Sequence, residues 1–239
     1  MADQQVATIV PFPIREIAFG IKFGPQWAVL DRLGVVADAV LDSEPFGPGV
    51  FPESHRQGTS FFLVNRRDDS LLTLNERDCI LQMSTRSRNL EDLRTLAANY
   101  EQHIVAPMLK AGMRDVIRYG VMLRLEECSG VLGVKPIDHY LAQEGEVKDF
   151  DLRFTRRLPS EAARVKKNVN DFRNLIYMIS QSEEGEVDFA FDYQELFEPP
   201  LDRSEIEAKS FARFVDDGLS FYSKNYKNWL DQFRRNAAA

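Results

Sequence analysis

Residues 163–193 read ARVKKNVNDFRNLIYMISQSEEGEVDFAFDY, and this stretch decides the fold class. Val165, Lys167 and Val169 alternate with polar neighbours, and Leu175, Tyr177 and Ile179 recur two residues apart. Val187, Phe189, Phe191 and Tyr193 do the same against Asp188, Ala190 and Asp192. A period of two belongs to a half-buried antiparallel strand, so the stretch predicts two long hairpin strands turned at SEEGE, residues 182–186. The apolar face of such a sheet must be covered, and the helical segments before and after it are the covers.

Working outward, Ile17, Phe19, Ile21 and Phe23 alternate as an earlier strand, and Gly24-Pro25 ends it. Trp27, Leu30, Leu33, Ala37 and Val40 then recur at three and four residues, a helical stripe expected to lie on the sheet. The Pro/Gly-rich stretch 42–58 reads as a surface loop whose Phe46 and Phe51 tuck back onto the body, or else as a binding loop. Three short strands follow, TSFFLVN, SLLTLN and the segment of Cys79, Leu81 and Met83, with Asp68-Asp69 at a turn. Asn89 is placed to cap a helix carrying Leu90, Leu93, Leu96, Ala97, Tyr100 and Ile104, and Pro107 predicts a kink because its ring clashes with the carbonyl of His103.

The second half repeats that order loosely. Ile117, Tyr119, Val121, Leu123 and Leu125 share one strand face, a junction with a short helix over 136–141 follows, and Phe150, Leu152 and Phe154 open an arm closed by Pro159. LFEPPLD is expected to be a turn, with a capping box at Ser204 and Glu207. A long aromatic helix then carries Phe211, Phe214, Leu219, Tyr222, Tyr226, Trp229 and Phe233, and Gly218 is expected to bend it. The architecture expected is α+β: antiparallel, one strongly curved sheet or two similar α+β halves (1–112 and 113–239), covered by long helices and packed as one globular unit.

Composition narrows the function. The 239 residues carry 37 acidic against 30 basic side chains, a formal charge of -7, which disfavours nucleic acid as a partner. No apolar run is long enough to span a membrane, and the start MADQQVATIV lacks the basic and apolar blocks of a secretory signal, so a cytoplasmic protein is expected. Cys79 and Cys128 sit inside or at the end of apolar strands, where buried free thiols are expected, with a single bridge as the alternative.

Chemical motifs are scarce. His55, His103 and His139 lack the close spacing of a zinc site, and neither a phosphate-binding glycine loop nor a serine nucleophile elbow is present. Asp188 and Asp192 are four apart on a strand, roughly 13 Å, too far for paired-carboxylate catalysis. No metal, cofactor or catalytic residue is therefore assigned. Arg118, Arg124, Arg153 and Lys167 fall on predicted strands; on neighbouring strands they would form a cationic groove for an acidic peptide, a phosphate or a carboxylate. Ordinary cross-strand pairing with Glu126, Asp151 and Asp171 is the competing reading.

The start PFPIREIAFGIKF (11–23), the Trp27 helix, the block ILQMSTRSRNLEDLRTLAANYEQHI (80–104), the strand VIRYGVMLRLEE (116–127) and the aromatic final helix together resemble a sporadically distributed, functionally uncharacterised bacterial family of roughly 250 residues. Pro13, Glu16, Arg118 and Gly120 look like counterparts of its recurring positions, while 123–126 depart from its pattern. The resemblance implies a bacterial origin and a fold, and transfers no catalytic residue. Its sporadic occurrence implies, as one alternative, an accessory factor in a phage or antiphage system.

The reading that follows is a non-catalytic binding or assembly protein, a homodimer or the partner of another protein. Its contacts would be the curved-sheet groove of Arg118, Arg124, Arg153 and Lys167 or the helix face of Phe211, Tyr222 and Trp229. The alternative is an enzyme or small-ligand receptor, for a small acidic ligand, with a cavity between sheet and helices.

Overall fold

The computed structural model describes residues 14–85, 89–125, 150–160, 170–181 and 187–237, with the backbone alone at 150, 152, 181, 187 and 227–237. Its elements are β1 (Ile14–Phe23), α1 (Trp27–Leu30), α2 (Leu33–Leu41), β2 (Glu53–Gln57), β3 (Ser60–Asn65), β4 (Ser70–Leu74) and β5 (Asp78–Ser84). Then come α3 (Leu90–Tyr100), a π turn (Glu101–Val105), α4 (Ala106–Ala111), β6 (Val116–Leu125), β7 (Phe150–Pro159), β8 (Phe172–Gln181) and β9 (Val187–Leu201). α5 (Arg203–Ala208) and α6 (Phe211–Ala237) follow.

All nine strands join one antiparallel sheet in the order β2-β3-β4-β5-β1-β6-β9-β8-β7. In each half the first strand pairs with the last, β1 with β5 and β6 with β9, and β1 pairs with β6 at the centre. The strongly curved sheet, or pair of half-sheets, expected from the sequence is not what forms. Among the described residues one open ladder runs through both halves and leaves β2 and β7 as its two edges, without strong curvature. Alternation dictates which strand face is oily, but inter-strand order and curvature depend on long-range pairing that alternation does not encode.

The helices cover one face. Ile17, Phe19, Ile21 and Phe23 of β1, Tyr119, Val121, Leu123 and Leu125 of β6 and Phe189, Phe191 and Tyr193 of β9 are buried there. Phe211 is the meeting point: its ring lies 4.9 Å from Tyr100 of α3, 5.2 Å from Tyr119 and 5.8 Å from Phe19. Truncating so buried an aromatic typically costs about 3–5 kcal/mol. Gly218 belongs to the same contact, because a Cβ there would stand 2.9 Å from Tyr193 Cδ1 and 3.0 Å from Val121 Cγ1. Its role is close approach of α6 to the sheet.

Some elements begin and end where local sequence signals place them, and others do not. Asn89 caps α3 by accepting from Glu91 N at 3.1 Å, and the π turn precedes Pro107 where a kink was expected. Phe46 and Phe51 are buried, but the 42–58 stretch also contains β2, an all-polar edge strand with no alternation to betray it. The supposed turn LFEPPLD is mostly the end of β9, where Leu201 pairs with Val116. The capping box lies two residues earlier than expected: Glu205 N donates to Asp202 Oδ1 at 2.9 Å, and Asp202 N to Glu205 Oε2 at 3.0 Å. Trp27 leaves the apolar stripe and is 70% exposed, because the chain turns between α1 and α2. The 136–141 helix, Val165 to Val169 and the SEEGE turn lie outside the described residues.

Candidate functional site

Each strand's alternate residues face away from the helices, and on the central strands these are small, apolar or polar groups. β1 presents Glu16, Ala18, Gly20 and Lys22, β6 presents Arg118, Gly120, Met122 and Arg124, and β5 adds Asp78, Ile80 and Gln82. β9 contributes Ala190, Asp192, Gln194 and Leu196. Towards β8 this face is filled, with Ile176 and Ala190 buried; around β1 and β5 it is open, and Ile80 is 37% exposed.

At the centre Gly20 stands opposite Gly120. Glycine weakens a strand and often marks a place where something else approaches the backbone. A Cβ at Gly20 would meet only Ile80 Cγ1 at 3.9 Å, so the space above the backbone is open. The result is a depression of about 160 Å³ whose lining includes Ala18, Ile80, Met122, Asp78, Arg118, Asp192 and Gln194. Its floor includes the backbone of Gly20 and Gly120, and polar side chains stand around it.

Asp192 is the chemically distinctive group on that rim. Burial pushes its carboxyl above the usual Asp range, opposed by a hydrogen bond from Gln194 Nε2 at 2.6 Å and by the nearby charges of Arg118 and Arg153. Two of the four cations singled out in the sequence therefore act on one carboxylate, from β6 on one side and β7 on the other. Arg124 instead pairs with Glu16 at 3.6 Å, across β1. Lys167 lies outside the described residues, as does Glu126. Asp171, proposed as a cation partner, accepts from the backbone of Glu198 at 2.9 Å. Asp188 pairs with Arg15 at 3.7 Å.

Phe211 and Tyr222 of the aromatic helix are buried in the chain's own core, and the Trp229 side chain is outside the described residues. Gly20, Asp78 and Gln194 were not singled out from sequence, and Gly120 was marked only through the family resemblance. The legible signal was a glycine in mid-strand in each half, but only pairing shows that the two coincide.

Other reactive groups are structural. Burial pushes the Cys79 thiol up to about 12 despite the Tyr100 hydroxyl beside it, so it remains protonated near neutrality. Burial also raises the Tyr119 phenol, with Glu101 and Glu195 adding to the shift. Glu195 is buried between sheet and helices, where Lys209 Nζ reaches it at 3.0 Å and Arg173 Nε at 3.7 Å. His55 stacks on Phe62 at 5.1 Å, and His103 sits in the π turn; His139 and Cys128 lie outside the described residues. Among the described residues no group of three or more His, Cys, Asp or Glu side chains is placed to hold a metal ion, and no helix is long and apolar enough to cross a membrane.

No protein-family model matches the chain, and the search of curated proteins finds no similar one.

Proposed function

We propose that this chain is a non-catalytic binding protein, and that the sheet face around Gly20 and Gly120 receives a flat surface of another protein. The observation that carries this reading is the open central face itself: half-exposed Ala18, Met122 and Ile80 surround a glycine floor, ringed by Arg118, Asp78, Asp192 and Gln194. An apolar centre inside a polar rim is the layout of a protein interface. Small-molecule sites usually enclose roughly 300–1,000 Å³, well above this depression. The aromatic helix is the weaker candidate surface because its Phe211 and Tyr222 already fill the core.

Site-specific photo-crosslinking in the producing cell tests the reading. A benzophenone side chain at Ile80 or Met122 is expected to give an adduct of discrete mass. The same group at Val35, 71% exposed on the helical side, is expected to give none. Absence of adduct at both sheet positions, or equal labelling at Val35, would sink the proposal.

A further inference from the structure

The two ends of the sheet differ. β2 is a short, wholly polar edge, whereas β7 is a ten-residue edge, FDLRFTRRLP, that pairs only with β8 among the described residues. Asp151, Arg153, Thr155, Arg156 and Arg157 are exposed along it, and Phe154 is 43% exposed. A long edge without a bulge or interior proline is a template for another strand.

The direction of its backbone groups follows from one hydrogen bond. Ser160 N donates to Asp171 O at 3.0 Å, in register with the unbroken β7–β8 ladder. Antiparallel pairs alternate between bonded and non-bonded. Leu158, Arg156 and Phe154 therefore direct their amides and carbonyls at β8, while Asp151, Arg153, Thr155 and Arg157 direct theirs outward. Pro159 also falls on an outward position, where its missing N–H removes no bond from the β7–β8 ladder.

We infer that a second copy of this chain docks on β7, edge to edge and antiparallel, with Phe154 at the two-fold axis. In an antiparallel dimer outward residues must face outward residues, which limits the choice of register. A centre on Thr155 sets Arg153 against Arg157 of the other copy, and a centre on Arg153 sets that arginine against itself. The centre on Phe154 sets Asp151 against Arg157 and Arg153 against Thr155, each twice, and no like charges meet. It also places the two exposed Phe154 rings opposite each other in a non-bonded pair, the closer kind. Arg157 is already held over the Phe172 ring, 3.9 Å from its centroid, which limits the entropy lost on pairing. The outward residues share the sheet face of Asp192, so the dimer would join two such faces into one platform. The inference does not depend on what that face binds.

An edge contact buries little area, so the expected affinity is micromolar. Sedimentation equilibrium of the full chain is the test, from low micromolar to sub-millimolar concentration. The wild type is expected to pass reversibly from 27.4 kDa to twice that mass. Thr155→Pro removes an outward N–H at mid-edge while leaving the β8 ladder intact, and is expected to stay monomeric with an unchanged thermal midpoint. Asp151→Arg is expected to weaken the dimer about tenfold or more, and the exchange Asp151→Arg with Arg157→Asp to restore it. Should Thr155→Pro fail to fold, the charge pair decides alone. A wild type that stays monomeric, a folded Thr155→Pro that still dimerises, or an exchange variant no better than Asp151→Arg would each overturn the inference.

Discussion

Glu101 Oε1 accepts a hydrogen bond from the backbone N–H of Phe211 at 3.0 Å, across an interval of 110 residues. Its other oxygen accepts from Ala212 N at 3.1 Å and from the Ser210 hydroxyl at 2.8 Å. Ser210 Oγ in turn takes Arg213 N at 3.2 Å, and Ser210 O takes Phe214 N at the same distance. Phe214 N thus makes the first regular turn bond, and the three amides before it, which a helix start leaves without an intrahelical acceptor, are all satisfied, two of them by a carboxylate from the first half of the chain. This contact fixes α6 against the end of α3, where Phe211 packs on Tyr100.

Removing that cap should loosen the whole helix layer. Glu101→Ala is expected to cost about 1–2 kcal/mol, a fall in thermal midpoint of about 2–8 °C for a chain of this size. Glu101→Gln, which keeps one acceptor, should lose less. Thermal unfolding followed by circular dichroism checks the order of the three proteins.

Gly218→Ala separates two arguments of opposite sign. Helix propensity alone predicts a gain of about 1 kcal/mol. The Cβ contact of 2.9 Å with the Tyr193 ring predicts instead an overpacking loss of about 1–3 kcal/mol. The expected result is net destabilisation in a urea melt; a stabilised variant would mean that α6 does not lie so close to the sheet.

Cys79 should resist iodoacetamide in the native protein. The buried thiol, raised to about 12, offers almost no thiolate at pH 8 and no access. Peptide mapping is expected to find Cys79 unmodified until denaturant is added, whatever happens at Cys128. Rapid native labelling of Cys79 would contradict its place beneath Tyr100.

Asp192→Asn should raise stability at neutral pH. An aspartate whose folded pKa lies above its unfolded value contributes stability below the unfolded pKa and loses it as pH climbs through the folded one. The ionised carboxylate is therefore the disfavoured form here, chiefly through burial. The amide retains an oxygen for Gln194 Nε2 and avoids that cost. A gain of no more than about 3 °C at pH 7 is expected, shrinking as the pH is lowered towards about 4. A variant less stable than wild type at pH 7 would show that the attraction of Arg118 and Arg153 outweighs burial.

The sequence by itself determined the alternating strands and their apolar faces, though not β2 or the end of β9, and it determined where α3 begins. Those properties are carried by neighbours within a few residues: the alternation in 187–193, and the Asn89 side chain within reach of the Glu91 amide. Tertiary structure alone decided the strand order, and with it the meeting of Gly20 with Gly120 and the placing of Arg118 and Arg153 on strands to either side of Asp192. It also decided that Phe211 and Tyr222 are core, since an aromatic stripe reads the same whether it faces its own sheet or a partner. The physical reason is range. Periodicity and capping are fixed within a turn or a strand, whereas sheet order depends on the pairing of residues up to about a hundred positions apart, each as apolar or as small as many others.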